Sequence, residues 1–129
     1  MKNLRKIIAI VALVAAIMAV FAGCGTKTQE GAKTITVVVT NKEGKDKTFT
    51  YTTDEKYLGP VLREEGLVTG HYDGDSFFID AVDGLTADYS VDESWWQVLA
   101  EGEAALVGVD EIAIKDGGSY QLVYTIGFG

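Results

Sequence analysis

The chain has 129 residues, a formal net charge of −8 and a single cysteine. A chain this acidic repels a phosphate backbone, so its charge argues against nucleic acid as a partner and against electrostatic docking on an anionic membrane. One cysteine excludes an internal disulfide. The length suits a single domain with one hydrophobic core, and no internal repeat divides the sequence.

The first residues predict an export signal. Residues 1–6 read MKNLRK, with three basic residues and no acid, and residues 7–22 are an apolar run of 16 residues without a charge. As a helix this run would reach about 24 Å, which is short of the ~30 Å hydrocarbon core of a bilayer. A basic start followed by a short apolar run indicates a cleaved signal peptide, which we assign to residues 1–23.

The end of the apolar run carries a more specific motif. Phe21-Ala22-Gly23-Cys24 resembles the lipobox of bacterial lipoproteins, where the signal is cut before the cysteine and the thiol receives a diacylglyceryl group. Two acyl chains are enough for stable anchoring. We therefore expect lipid attachment at Cys24 and an extracytoplasmic domain anchored to the cell membrane. The alternatives are a buried thiol in a cleaved secreted protein and a short membrane anchor.

The predicted mature chain has a tether and one folded domain. Residues 24–129 carry eight Lys and Arg against nineteen Asp and Glu, which gives a net charge of −11. Residues 24–33 are polar and contain two glycines, so they are predicted to be a flexible tether. The folded domain is predicted to span residues 34–129.

The spacing of apolar residues predicts the elements of that domain. Alternating β-branched and aromatic residues predict strands, and the i, i+3, i+4 spacing of Leu58, Val61 and Leu62 predicts a helix. Asp54 is expected to cap this helix and Gly66 to end it. Residues 68–76 and 87–93 are expected to be loops. The predicted elements are strands at 34–40 and 48–53 around a turn at 41–47, the helix at 57–65, strands at 77–82 and 94–100, a short strand at 112–114, and a final strand at 119–128.

This order of elements predicts an α+β fold. Two strands, one helix and three or four further strands match a β-grasp-like mixed sheet with one short helix packed on one face.

An acidic stretch at residues 73–93 holds seven carboxylates and could supply ligands for a cation. An EF-hand loop starting at Asp73 would need an acidic residue and a glycine at its fifth and sixth positions, where Phe77 and Phe78 stand. Solvated turns are therefore the expected structure, and an ad hoc cation site is the alternative. No metal site is assigned.

The sequence does not predict an enzyme. His71 is the only histidine, and neither a G-x-S-x-G motif nor a phosphate-binding loop occurs. A Ser-His-Asp set that includes His71 and Ser76 is the alternative, although closeness in sequence says nothing about catalytic geometry.

Aromatic side chains are concentrated between residues 71 and 96. They include two adjacent pairs, Phe77-Phe78 and Trp95-Trp96. Neighbouring side chains of a strand point to opposite faces, so each pair places one ring on each face of the sheet. The face without the helix would then expose rings to a ligand or a partner. The alternative is that connections 66–75 and 85–93 cover these rings.

Residues 95–124, WWQVLAEGEAALVGVDEIAIKDGGSYQLVY, resemble the end of the transcobalamin-like C-terminal domain. The shared pattern is an aromatic-Trp-Gln strand at 95–97, a turn at Gly102 and a Lys-Asp-Gly turn at 115–117, and the resemblance extends over roughly residues 34–127. It implies a β-grasp-like fold with a ligand-facing region, because in the vitamin carriers this domain covers one side of cobalamin. Ile112 departs from the family's usual tyrosine. The helical barrel domain that holds the other side of cobalamin is not expected in this chain. We therefore expect a low affinity for cobalamin.

These patterns predict a membrane-anchored surface lipoprotein that binds a small, partly apolar ligand. The resemblance implies a cobalamin-like corrinoid as the ligand, which the protein would deliver to a transporter. The resemblance points to Trp96 and Gln97 as binding residues, and Trp95, Tyr72 and Tyr89 are further candidates. Trp96 is the indole expected to face the ligand, while Trp95 packs under the helix. The alternative function is a non-enzymatic interaction module that docks a partner protein or a cell-wall component.

Overall fold

A computed structural model describes residues 29–127. The predicted signal peptide, Cys24 and the start of the predicted tether lie outside these residues. No helix within residues 29–127 is long and apolar enough to cross a membrane. The described elements are strands β1 (Lys33–Thr40) and β2 (Asp46–Thr53), helix α1 (Leu58–Glu64), strands β3 (Val68–Asp73), β4 (Ser76–Val82) and β5 (Leu85–Thr86), helix α2 (Tyr89–Asp92), strands β6 (Ser94–Ala100) and β7 (Glu103–Ala104), a 3₁₀ turn (Val109–Glu111), and strand β8 (Ser119–Ile126).

Five strands form the main sheet, in the spatial order β2-β1-β8-β6-β7. β1 and β8 run parallel, with Val37 opposite Tyr120, and the other neighbouring strands run antiparallel. The first and last strands therefore lie side by side at the centre of a mixed sheet, which is the β-grasp-like order. The predicted α+β fold class is confirmed.

The helix α1 packs against the core, as its apolar spacing predicts. Its buried residues Leu58, Val61 and Leu62 belong to the same core cluster as Ile35 and Val37 of β1. Each fully buried aliphatic side chain contributes roughly 1.5–3 kcal/mol. This packing stabilises a helix of seven residues, which would be too short to persist alone in water.

The sequence predicts the end of α1 correctly and its N-terminal cap incorrectly. Gly66 follows the helix with a φ of 73°, a left-handed conformation that glycine adopts without strain, so the predicted stop is confirmed. The predicted cap at Asp54 is wrong, because the N-cap residue is Tyr57 and it makes no side-chain cap bond. Instead, the N–H of Leu58 donates to the carbonyl of Ile112 at 2.9 Å, so a distant chain segment satisfies the first turn.

A second sheet of three strands, β3-β4-β5, corrects the prediction of a loop at 68–76. β3 pairs antiparallel with β4 through a tight turn at Gly74, and the register shifts between Thr69 and Gly70. At Gly70 the backbone approaches β4 so closely that a Cβ would collide with the Phe78 carbonyl and lie 2.8 Å from the Phe77 ring. The strand was missed because β3 exposes every residue after Val68 and therefore lacks the apolar alternation of a half-buried strand.

Two further connections differ from the sequence prediction. Residues 87–93 contain α2, whose first turn is held by the Asp88 side chain accepting from the N–H of Ser90 at 3.0 Å. The predicted strand at 112–114 is wrong: a 3₁₀ turn precedes it, and only an isolated bridge joins Ala113 to Tyr57. In contrast, β6 at 94–100 is confirmed, as is the final strand, which ends at Ile126.

Candidate functional site: a cavity at Trp96

The two tryptophans lie on opposite faces of β6. Trp96 pairs with Tyr124 of β8 and is only 6% exposed, within the core cluster. Trp95 is half-buried on the other face, and its indole N–H donates to the carbonyl of Gly127 at 2.8 Å. The expectation that Trp96 is the outward-facing indole is therefore wrong. The register of β6 against β8, which the sequence could not provide, decides which ring is buried.

Trp96 nevertheless lines a cavity of about 290 Å³. The cavity lies where β1 ends, beside the 41–45 turn, the 83–84 turn and the start of β6. We call it the Trp96 cavity. Its apolar lining comes from Val39, Val82, Leu85 and Trp96, and its polar lining comes from Asn41, Glu43, Lys45, Asp46, Lys47 and Asp83.

The polar lining is held by hydrogen bonds within one turn and by one ion pair between two turns. The Asn41 side-chain oxygen accepts from the backbone N–H groups of Glu43 at 3.0 Å and Lys45 at 2.9 Å, which closes the β1–β2 turn. The Lys47 ammonium lies 3.3 Å from an Asp83 carboxylate oxygen and so connects this turn to the β4–β5 turn. Both partners are exposed, so this ion pair contributes little to stability and can open at small cost.

The indole N–H of Trp96 is an unpaired donor. Its Nε1 atom is buried and has no hydrogen-bond acceptor among residues 29–127. The ring makes an edge-to-face contact with Tyr124, with centroids 5.5 Å apart. Leaving a buried donor unpaired costs about 1–3 kcal/mol, so native proteins rarely do so without a reason.

Charge near the cavity is mixed. Three of the seven Lys and Arg residues in 29–127 occupy positions 42, 45 and 47 of the β1–β2 turn, so cations are concentrated there in an otherwise acidic domain. The lining itself has Lys45 and Lys47 against the carboxylates of Glu43, Asp46 and Asp83. At the end of α2, Asp92 accepts hydrogen bonds from Ser94, which lower the pKa of its carboxyl.

The remaining sequence candidates do not converge on Trp96. Gln97 lies on the face of β6 opposite Trp96, together with Trp95. Tyr72 is on β3, where its ring meets Phe77 edge to face at 5.1 Å. Tyr89 begins α2 and is exposed. The five predicted ligand residues are therefore distributed over several surfaces. Within residues 29–127 they do not come together in one pocket.

Tyr72 belongs to a cluster centred on an arginine. The Arg63 guanidinium of α1 lies 4.5 Å from the Phe77 ring centre and 5.8 Å from that of Tyr72. It also contacts the Asp110 carboxylate at 2.7 Å. These contacts link α1, the second sheet and the 3₁₀ turn to one another, and the Tyr72 ring packs beside them while staying 57% exposed.

Large apolar side chains are exposed on the β3–β4 hairpin and in the loop after β7. Phe78 is 49% exposed and stacks on His71, whose Nδ1 lies 2.8 Å from an Asp80 carboxylate oxygen. Leu106 and Val107, in the loop after β7, are 97% and 50% exposed. We call Phe78, Leu106 and Val107 the hairpin patch. Leu106 and Val107 were not among the site residues predicted from the sequence. The signal that could have found them is the apolar segment ALVG, which lies outside any predicted strand or helix.

The acidic side chains do not form a metal-binding group within residues 29–127, where no three His, Cys, Asp or Glu side chains are close enough to hold an ion. A polar cleft of about 580 Å³ lies between Ala32, the end of β2 and α1, and Asp54, Glu55 and Glu64 line it. A hydrogen bond with Glu55 raises the pKa of the Glu64 carboxyl.

The order of the strands and the single packed helix define a small α+β domain of β-grasp-like architecture. A solved structure of a proposed metal-binding protein from Ruminococcus gnavus ATCC 29149 is 36% identical to this chain, with a TM-score of 0.71, and the match covers 74% of this chain and 99% of that one. This chain belongs to the same family as the Ruminococcus gnavus protein.

A second solved structure, haptocorrin in complex with Cbi, matches with a TM-score of 0.62 and 13% identity. Haptocorrin is of the transcobalamin family, so the resemblance seen in the sequence is supported at the level of architecture. The match covers 79% of this chain and 27% of haptocorrin, so the domain spans about a quarter of that protein. No protein-family model and no curated protein matches the chain.

Proposed function

We propose that this chain is a non-enzymatic, lipid-anchored surface protein that binds a small, partly apolar ligand in the Trp96 cavity. The observation that carries this proposal is a partly apolar cavity of about 290 Å³ that Trp96 lines, in a fold shared with haptocorrin. An apolar lining with a few polar groups is the usual composition of a ligand pocket. The volume of about 290 Å³ is at the lower end of the roughly 300–1,000 Å³ typical of such pockets.

A corrinoid is the first ligand to test. The fold shared with haptocorrin, whose structure contains Cbi, supports this choice. The Trp96 cavity is too small to enclose a molecule of that size, so a corrinoid would insert one group or lie on the other face of β6, against Trp95 and Gln97. Low affinity follows in either case, because much of the ligand would stay in water. Delivery of the ligand to a transporter would complete the proposed role.

The binding test uses the whole chain in lipid nanodiscs, titrated with cobalamin while the tryptophan emission is recorded. Binding is expected to change the emission of the wild type, and Trp95→Phe and Trp96→Phe report which face is used. If emission and melting temperature stay constant up to millimolar cobalamin, the corrinoid proposal is withdrawn. The same melting series with Ca²⁺ and Zn²⁺ tests the metal binding that is proposed for the Ruminococcus gnavus relative.

The anchor is tested at Cys24. We expect Cys24→Ser to abolish labelling by a radioactive fatty acid in the producing bacterium, because the thiol is the proposed attachment point. Thr26→Ser, a change of similar size two residues away, is the matched control and should label normally. Normal labelling of Cys24→Ser would contradict the anchor.

The hairpin patch favours a second candidate function, that of an interaction module for a partner protein at the cell surface. Phe78, Leu106 and Val107 are large apolar side chains left exposed, which is typical of protein-binding surfaces when they are contiguous. Photo-crosslinking from a probe placed at Leu106 in the native host should capture a defined protein, and Phe78→Ser should reduce the yield. An equal yield from a probe at Glu43, near the Trp96 cavity, would argue against a specific contact.

A further inference from the structure

We infer that residues 29–34 orient the domain on its membrane: the connection at 54–56 and the turn at 115–117 face the lipid headgroups, and the Trp96 cavity opens at the opposite end. This inference rests on the lipid anchor of the proposed function. It adds the surface of the domain that meets the bilayer and the side from which the cavity can be reached.

The segment that precedes β1 is held against one end of the main sheet. The Gln29 side-chain oxygen accepts from the backbone N–H of Asp116 at 2.9 Å, and the N–H of Thr34 donates to the Asp116 carboxylate at 2.7 Å. The Glu30 carboxylate pairs with the Lys56 ammonium at 3.0 Å. The segment is therefore joined to two separate parts of the domain, the turn before β8 and the connection before α1.

A buried lysine holds the same segment from the inside. Lys33 is fully buried, and its ammonium donates to the carbonyls of Gly31 at 2.8 Å and Asp54 at 3.4 Å. A buried ammonium needs such partners, because an ion that has lost water without gaining hydrogen bonds is strongly destabilised. Moving Gly31 away from the domain would remove one of these carbonyls, so the position of the segment is coupled to the core.

These contacts shorten the anchor. Cys24, the proposed point of lipid attachment, precedes Gln29 by five residues. An extended chain spans at most ~3.6 Å per residue, so Gln29 lies within about 18 Å of Cys24, whereas nine free residues up to Lys33 would reach about 32 Å. The end of the sheet that holds Gln29 is therefore the end nearest to the bilayer.

The Trp96 cavity lies at the other end of the same sheet. β1 runs from Lys33, beside the docked segment, towards Val39, which lines the cavity. The rise of ~3.3 Å per residue along a strand places these two positions about 20 Å apart. The 41–45 turn, which also lines the cavity, follows the end of β1. A partner that takes a ligand from the cavity must therefore project about that far from the bilayer.

Charge does not favour a different orientation. Residues 29–127 carry seven Lys and Arg against nineteen Asp and Glu, so anionic headgroups repel the domain as a whole. At the cavity end, the three lysines at positions 42, 45 and 47 are matched by the carboxylates of Glu43, Asp46 and Asp83. These six charges balance, so they do not draw the cavity end towards the membrane.

The test measures the distance from each end of the domain to the headgroups, by energy transfer from a dye on the lipidated whole chain to acceptors on the headgroups of a nanodisc. Asp54→Cys and Lys42→Cys place the dye at exposed positions of the two ends. Cys24 is the only native cysteine and its thiol is the proposed acylation point, so the dye reacts with the introduced thiol. The dye in Lys42→Cys should lie about 20 Å further from the acceptors than the dye in Asp54→Cys.

The outcomes separate the orientation from the anchor. Equal distances, or the reverse order, in protein that stays in the nanodisc would overturn the orientation and leave the anchor standing. Protein that is not retained in the nanodisc would overturn both. Binding of cobalamin is measured separately, so the result does not depend on the identity of the ligand.

An insertion tests whether the short anchor sets the orientation. Ten Gly and Ser residues placed between Thr28 and Gln29 keep the docking contacts but lengthen the anchor to about 54 Å when extended. The domain can then turn over, so the difference between the two dyes should fall to less than about half. An undiminished difference would show that something other than the short anchor orients the domain.

Amide hydrogen exchange tests the docking itself. Gln29→Ala should speed exchange at the Asp116 amide roughly threefold to tenfold, the range expected for the loss of one neutral hydrogen bond. Glu30→Gln is the matched control, because it keeps the Gln29 acceptor and opens only an exposed ion pair, so the Asp116 amide should exchange as in the wild type. Unchanged exchange in Gln29→Ala would contradict the docked segment and, with it, the orientation.

Discussion

Replacing Trp96 by phenylalanine should leave the free energy of unfolding within about 1 kcal/mol of the wild-type value, although the side chain is almost fully buried. A buried aromatic side chain removes roughly 150–250 Å² from water, and exchanging indole for phenyl gives up about 40 Å² of it. At ~25 cal/mol per Å² this loss costs about 1 kcal/mol. Removing an unpaired buried donor recovers about 1–3 kcal/mol, which offsets the loss and the enlarged cavity.

The assay is urea unfolding followed by far-ultraviolet circular dichroism, which does not depend on tryptophan emission. Trp95→Phe is the matched control: its N–H donates to Gly127, so this substitution removes a satisfied hydrogen bond and should cost about 1 kcal/mol. Leu122→Ala, at a fully buried position of β8, should cost about 2–5 kcal/mol. A loss above about 2 kcal/mol in Trp96→Phe, with an unchanged slope against urea, would show that the indole N–H has a partner and would refute the reasoning.

Three further substitutions test the framework around the site. Gly70→Ala should cost about 1–3 kcal/mol in the same assay because its Cβ meets the β4 backbone, whereas Gly74→Ala, in open space at a φ of 65°, should cost about 1 kcal/mol; equal costs would contradict the close approach. Arg63→Lys should lower the melting temperature although the charge is kept, because the planar contact with two rings is lost; an unchanged melting temperature would argue against that contact. Burial raises the pKa of Tyr120 to about 12, so phenolate forms more readily in the unfolded chain, and stability should fall as the pH rises from about 10 to about 12; Tyr120→Phe should remove most of this fall.

Local patterns in the sequence were sufficient where an element buries one face. The alternation from Thr34 to Thr40 and from Tyr120 to Ile126 predicted two central strands, and the spacing of Leu58, Val61 and Leu62 predicted α1. These residues show their burial directly in their order, because strands and helices have fixed side-chain periods. The turn at Gly102 and the end of α1 were readable because glycine adopts the positive φ that both positions require.

Other features depended on chain segments that are far apart in sequence. β3 exists because β4 supplies its hydrogen-bond partners, and its own residues are mostly exposed and carry little pattern. The start of α1 is satisfied by the carbonyl of Ile112 rather than by Asp54, which no local rule would have suggested. Long-range pairing of this kind replaces the side-chain cap.

The sequence by itself determined the acidic charge, the α+β class, the central strands and the presence of two adjacent indoles on one strand. Only the tertiary structure decided which indole is buried, because a shift of one residue in the register of β6 exchanges the two faces. It also decided that Trp96 lines a cavity, since that cavity is made by turns at residues 41–47 and 83–85 that lie far from Trp96 along the chain.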